Sequence, residues 1–207
     1  MGVAGVVLAA GASERMGRSK ALLDFRGVPF VVRILEALEA LDMKPRLVVL
    51  GPDGPRIRPS LATHDCVIIE QPDVSAGEIG SLRAALTALE PVRPSAVLAW
   101  PVELPHVRVA TIERLLERYR LAPPPAPPPA VVPSFAERRG RPVLWDRALF
   151  EELADSPVAT RHGGRAVLLA HEAELATVPV DDPAVIDDLN TPEDYERLVR
   201  EVNRDIY

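Results

Sequence analysis

The sequence predicts an α/β protein, with a doubly wound, mostly parallel sheet covered by helices on both faces. Two observations lead there. Short apolar runs alternate along the chain with amphipathic stretches, the order strand, helix, strand that suits right-handed crossovers. The runs themselves, such as Val-Val-Leu-Ala-Ala at 6–10 and Leu-Val-Val-Leu at 47–50, lack the polar alternation of a half-exposed strand and read as strands buried on both sides.

In order, the pattern predicts strands at 3–9, 47–50, 66–69 and 96–100, with amphipathic segments at 29–41, 80–89 and 109–119 between and after them. The tract 122–130, Ala-Pro-Pro-Pro-Ala-Pro-Pro-Pro-Ala, favours polyproline II and reads as a surface excursion. Beyond it come extended pieces at 130–135 and 142–145, helices near 147–153 and 165–171, and an extended 175–180. The closing helix starts at Thr191-Pro192-Glu193-Asp194, with a good N-cap, proline in the first turn and early acids. No repeat or second domain boundary is visible. Residues 1–207 read as one domain: 1–121 as the main ligand-binding half, 122–130 as the proline-rich surface loop, 131–207 as the opposite wall and closing elements.

A chain of 207 residues buries a substantial core without help from a metal or partner. Its net charge of −6, from 24 basic and 30 acidic residues, argues against duplex nucleic acid as a partner and leaves room for a small anion held by local cations. A single cysteine, Cys66, excludes an internal disulfide and suits a reducing, cytoplasmic compartment, and the residue itself reads as buried strand packing. Charges or proline interrupt every apolar run before membrane-spanning length, so no membrane partner is expected.

The first strand runs into Ala10-Gly11-Ala12-Ser13-Glu14-Arg15-Met16-Gly17-Arg18-Ser19-Lys20. Glycines allow backbone N–H groups to converge on phosphate oxygens, and Arg15 and Lys20 can neutralise a triphosphate. The spacing is neither Walker A nor the dinucleotide G-x-G-x-x-G. The stretch Leu8 to Lys20, LAAGASERMGRSK, resembles the signature of the MobA-like NTP transferases, particularly the molybdenum cofactor cytidylyltransferases. Sugar-nucleotide pyrophosphorylases carry a related loop, typically with Gly-Thr where this chain has Ser13-Glu14 and proline where it has Ser19. They are the nearest rival reading.

Other segments resemble the family in the same order. Gly77-Glu-Ile-Gly-Ser81-Leu82 is similar to a segment beside the nucleotide, although Ser81 alone also suits helix capping. Pro101-Val102-Glu103-Leu104-Pro105 resembles a metal-binding P-V-D segment, with Glu103 where the family has aspartate. Arg139-Gly140-Arg141-Pro142-Val143-Leu144 resembles R-G-H-P-V-L, with Arg141 in place of histidine. Asp187-Asp188-Leu189-Asn190-Thr191-Pro192-Glu193-Asp194 resembles D-I-D/N-T-P-E-D. Magnesium prefers hard oxygen ligands, and Glu103 supplies them at the cost of one extra methylene.

The resemblance implies a Rossmann-like nucleotidyltransferase fold and a Mg2+-dependent enzyme of molybdenum cofactor biosynthesis. It would transfer NMP from an NTP, with CTP favoured through Ala10, to a phosphate-bearing acceptor such as molybdopterin, releasing pyrophosphate. A molybdoenzyme-maturation protein is the class of partner it suggests. Leu8, Ala9, Ala10, Gly11, Ser13, Arg15, Lys20, Gly77 and Ser81 would bind nucleotide. Arg15, Lys20 and Glu103 would act in catalysis, and Glu103, Asp188 and Asn190 at the metal. Asp188 and Asn190 could also merely turn the chain. Arg141 stands on the acceptor side, where it could pair with an acceptor phosphate or lie on the surface. The scattered His64, His106, His162 and His171 form no zinc motif and take no catalytic role. Transfer to another small phosphomonoester, or nucleotide binding without catalysis, are the alternatives.

Overall fold

The computed structural model describes residues 2–11, 16–71, 73–121 and 127–204, the last three by backbone alone. The sheet grows outward from β1 (Val3–Ala9), a strand buried along its whole length. β1 is flanked by β4 (Arg46–Leu50) on one side and β6 (Ala96–Pro101) on the other, both parallel to it, with β5 (Val67–Glu70) beyond β4. The chain therefore fills one side of β1 first and then crosses to the other. That reversal opens a crevice at the carboxyl ends of β1 and β6, where ligands of such sheets bind.

Beyond β6 the sheet departs from the purely parallel pattern. β9 (Val143–Asp146) runs antiparallel between β6 and β7 (Ala130–Phe135), and β10 (Ala176–Pro179) closes the edge parallel to β7. Two short pairings escape a reading by periodicity: β8 (Arg138–Arg139), which folds back on β7, and the hairpin of β2 (Asp24–Phe25) with β3 (Val28–Pro29). Runs of two residues carry no period to detect.

Helices cover both faces. α1 (Phe30–Ala40) and α4 (Val109–Arg120) pack Phe30, Ile34, Leu38, Ile112 and Leu115 against one. α3 (Gly77–Leu89) packs Leu82, Ala85 and Leu89 against the other. On that second face lie α5 (Phe150–Asp155), α6 (Pro157–His162) and α7 (Gly164–Ala170), with the Arg83 guanidinium of α3 donating to the Leu153 and Ser156 carbonyls. α2 (Gly54–Ile57) is a single turn after β4, and α8 (Pro192–Arg204) ends the described chain.

Three expectations need correction. β5 is an edge strand with Val67 half exposed, so it is not covered on both faces. The surface loop ends earlier than residue 130: Ala130 is fully buried as the first residue of β7, because Asp146 N–H bonds the Pro129 carbonyl and draws that end into the sheet. Residues 122–126 of the tract lie outside the described residues. Cys66 is only half-buried, one residue before β5, and burial raises its thiol pKa. Among the described residues, no helix is long and apolar enough to cross a membrane.

Candidate active site

The crevice is walled by three chain segments, each anchored by local chemistry. The first leaves β1 through Leu8, Ala9 and Ala10, all buried, and reaches the exposed Gly11. It passes so near β4 that a Cβ on Gly51 would lie 2.1 Å from the Ala10 carbonyl oxygen, so only glycine fits there. Ser13 and Arg15 lie outside the described residues. The loop returns to a short 3-10 turn, Lys20–Leu22, and Arg18 stacks 5.0 Å over the Tyr195 ring of α8.

The second segment follows β6. Trp100 Nε1 donates to the Leu104 carbonyl at 2.9 Å, and Val102 N–H donates to the Leu8 carbonyl at 3.1 Å. These bonds bend the loop so that Glu103 stands at the mouth of the crevice, 18% exposed. The third segment enters α8. Thr191 and Asp194 bond each other reciprocally, the Thr191 Oγ1 accepting from Asp194 N–H and the Asp194 carboxylate accepting from the Thr191 and Asn190 backbones. This capping pair fulfils the sequence signal and also orients Asn190. The backbone bonds it accepts hold the Asp194 carboxyl below its usual range.

Two polar contacts then join the segments. Lys20 Nζ donates to Asn190 Oδ1 at 2.8 Å, across 170 positions of sequence. Arg141 Nη1 lies 3.0 Å from Glu103 Oε1 and 3.3 Å from Glu78 Oε2, while its Nη2 lies 2.7 Å from Asp188 Oδ1. Burial alone would lower the Arg141 pKa, but the fields of Glu103, Glu78 and Asp188 outweigh it and hold it above the ordinary value. The structure therefore places Arg141 inside the site. Its position is set by Gly140, where a Cβ would lie 2.2 Å from the Val185 carbonyl oxygen, the same oxygen that accepts the Arg141 N–H at 2.8 Å.

Of the three residues read as metal ligands, Glu103 and Asp188 meet through one guanidinium, whereas Asn190 turns to Lys20. No group of three or more His, Cys, Asp or Glu able to hold a metal occurs among the described residues. Two carboxylates are nevertheless a fitting donor set for a hard divalent cation that keeps waters and takes phosphate oxygens. Gly77, in the left-handed region at φ 59°, opens α3, and Ser81 is buried one turn further on.

Three residues here went unread in the sequence. Glu78 joins Arg141 from the first turn of α3. Gln71, at the end of β5, is buried against Gly80. Its Nε2 donates to the Asp73 carbonyl, and its Oε1 has no partner among the described residues. Asp187, next to Asp188, accepts from Arg197 at 2.7 Å and lies 3.1 Å from His106 Nε2. Burial would raise the Asp187 pKa, but the bonds from His106 and Arg197 win and hold it far below the usual carboxylate range. Single acids, a glutamine and one scattered histidine carry no local pattern that could have revealed these pairings.

Comparison with known proteins identifies the family. The family model described as the MobA-like NTP transferase domain matches residues 5–177. A molybdenum cofactor guanylyltransferase of Rhodobacter capsulatus is 30% identical, covering 95% of both chains. A nicotine blue oxidoreductase of Paenarthrobacter nicotinovorans is also 30% identical, covering 95% of this chain and 96% of that one. Among solved structures, the manganese complex of Rv0371C from Mycobacterium tuberculosis H37Rv superposes with a TM-score of 0.75 at 27% identity, covering 97% of this chain and 99% of that one.

Proposed function

Because this chain belongs to the MobA-like NTP transferase family, we propose that it transfers a nucleotidyl group, CMP in preference to GMP, from an NTP to the phosphate of a pterin cofactor precursor such as molybdopterin. The observation that carries the reading is the convergence of Glu103 and Asp188 on one point of the crevice, with Lys20 and Asn190 paired as part of the same cleft.

The chemistry asks for little beyond position and charge. An oxygen of the acceptor phosphate attacks the α-phosphorus, the bond from the α-phosphorus to the bridging oxygen breaks, and pyrophosphate leaves with that oxygen. A phosphate acceptor is already a nucleophile, so no general base is required. Lys20, with Arg15 from the same loop, meets the triphosphate charge. Asn190 holds the Lys20 ammonium in place. Glu103 and Asp188 would hold Mg2+ or Mn2+, which would share the charge that grows on the phosphates. Arg141, which now holds Glu103 and Asp188, would take an acceptor phosphate in a bidentate grip in exchange for a carboxylate. Ala10, the position through which the resemblance favours cytidine, is buried in the same apolar cluster as Ile79 and Leu82 of α3.

The test is pyrophosphate release from CTP or GTP with molybdopterin and Mg2+ or Mn2+. Faster turnover with CTP is expected. Turnover with GTP alone, as the name of the Rhodobacter relative would suggest, would overturn the donor preference and leave nucleotidyl transfer standing. No pyrophosphate from any NTP would overturn the transfer itself.

A further inference from the structure

A basic cavity lies beside the crevice, on the α1 and α4 face of the sheet. Its volume is about 660 Å3, and none of the residues assigned to nucleotide, metal or acceptor lines it. Five arginines do: Arg26, Arg33, Arg108, Arg138 and Arg197. In a chain of net charge −6, that concentration reverses the prevailing field locally.

The acids in the same wall are already spent. Asp182 is buried, with Oδ2 accepting from Arg108 N–H at 2.9 Å and from the Thr111 hydroxyl at 2.6 Å, and Oδ1 accepting from Ala184 N–H. Asp187 is occupied by Arg197 and His106, and Glu201 also faces Arg197, at 3.9 Å. The remaining arginines are poorly matched. Among the described residues Arg33 reaches only Glu36, at 3.7 Å, and the Arg108 side chain bonds the Asp181 carbonyl. Arg26 lies over the Phe25 ring at 5.7 Å, and among the described residues neither it nor Arg138 has a carboxylate within ion-pair distance.

The backbone holds the last two in position. Arg26 occupies the left-handed region at φ 56° in the β2–β3 turn, a place where asparagine or glycine would be easier. Arg138 follows directly on the β7–β8 turn, whose Ala136 and Glu137 are also left-handed. Two tight hairpins thus present guanidinium groups into one cavity from different parts of the chain.

We infer that this cavity is a separate binding site for a small phosphate-bearing anion, gripped by Arg26 and Arg138 and flanked by Arg33 and Arg108. Guanidinium forks match phosphate oxygens in geometry as well as charge, and several of them facing one concavity add their fields there. The site also abuts the crevice, because Asp187 precedes Asp188 and His106 follows Glu103 by three residues.

Calorimetric titration with pyrophosphate and with inorganic phosphate tests this in a Lys20→Ala background, which disables phosphate binding by the loop. Pyrophosphate should still bind there, more tightly than phosphate, and Arg26→Ser with Arg138→Ser should weaken it by about tenfold or more. Both arginines are surface residues, and an unchanged melting temperature of that double variant verifies its fold. No binding in the Lys20→Ala protein, or binding that the arginine substitutions leave untouched, would overturn the assignment. Either result leaves nucleotidyl transfer at the crevice to stand or fall on its own assay.

Discussion

The Lys20 ammonium and the Asn190 side-chain oxygen meet at 2.8 Å, tying the loop that follows β1 to the start of the last helix. Lys20→Ala should weaken NTP binding about a hundredfold, by removing the charge and its hydrogen bond together. Asn190→Ala should cost less, about three- to tenfold, since the charge remains and only its orientation is released. Isothermal titration with the preferred NTP measures both. Equal losses would mean that Asn190 touches the ligand itself.

Arg141 holds Glu78, Glu103 and Asp188 at once, so its removal leaves three carboxylates facing one another. Arg141→Ala should lower stability by about 1–2 kcal/mol without metal, the modest size reflecting how exposed Glu78 and Asp188 are. Mn2+ should then raise the melting temperature of the variant more than that of the wild type, because a ligand that binds the folded state stabilises it. A smaller Mn2+ shift in the variant would contradict the placement of metal at Glu103 and Asp188.

Gly140 admits no side chain without displacing the Val185 carbonyl. Gly140→Ala should destabilise the protein by about 3 kcal/mol and reduce transfer further by moving Arg141 away from its acids. Urea unfolding and pyrophosphate release read the two effects separately.

Tyr119 supplies a pH signature remote from the site. Burial, and then the hydrogen bond its hydroxyl donates to Asp146, raise its pKa above the ordinary value. For a group whose folded pKa is raised, the stability is fully present below the unfolded pKa, about 10, and is lost as pH rises through the folded value. Alkaline unfolding should therefore steepen above about pH 10, and Tyr119→Phe should flatten that limb while costing about 1 kcal/mol near neutrality. Absorbance titration of tyrosinate, combined with thermal melts, checks the sign.

How much of this was readable in advance depends on the range over which each interaction acts. The parallel strands were legible because Val3–Ala9 and Arg46–Leu50 are apolar throughout, and the Thr191–Asp194 cap because its partners are three residues apart. The antiparallel insertion of β9 between β6 and β7 was not, since an extended apolar segment looks alike in either direction. The two-residue strands were invisible for want of any period.

The sequence by itself determined the α/β class, the closing helix and the family. It also named Lys20, Glu103, Arg141, Asp188 and Asn190, because each stands in a short motif whose residues are neighbours along the chain. Tertiary structure alone decided which of them meet: Lys20 with Asn190, and Arg141 with Glu103, Asp188 and the unforeseen Glu78. It likewise gathered the arginines of the basic cavity. Side chains tens of residues apart are brought together by sheet order and by close backbone passages such as Gly51 on Ala10 and Gly140 on Val185, and no local pattern encodes those distances.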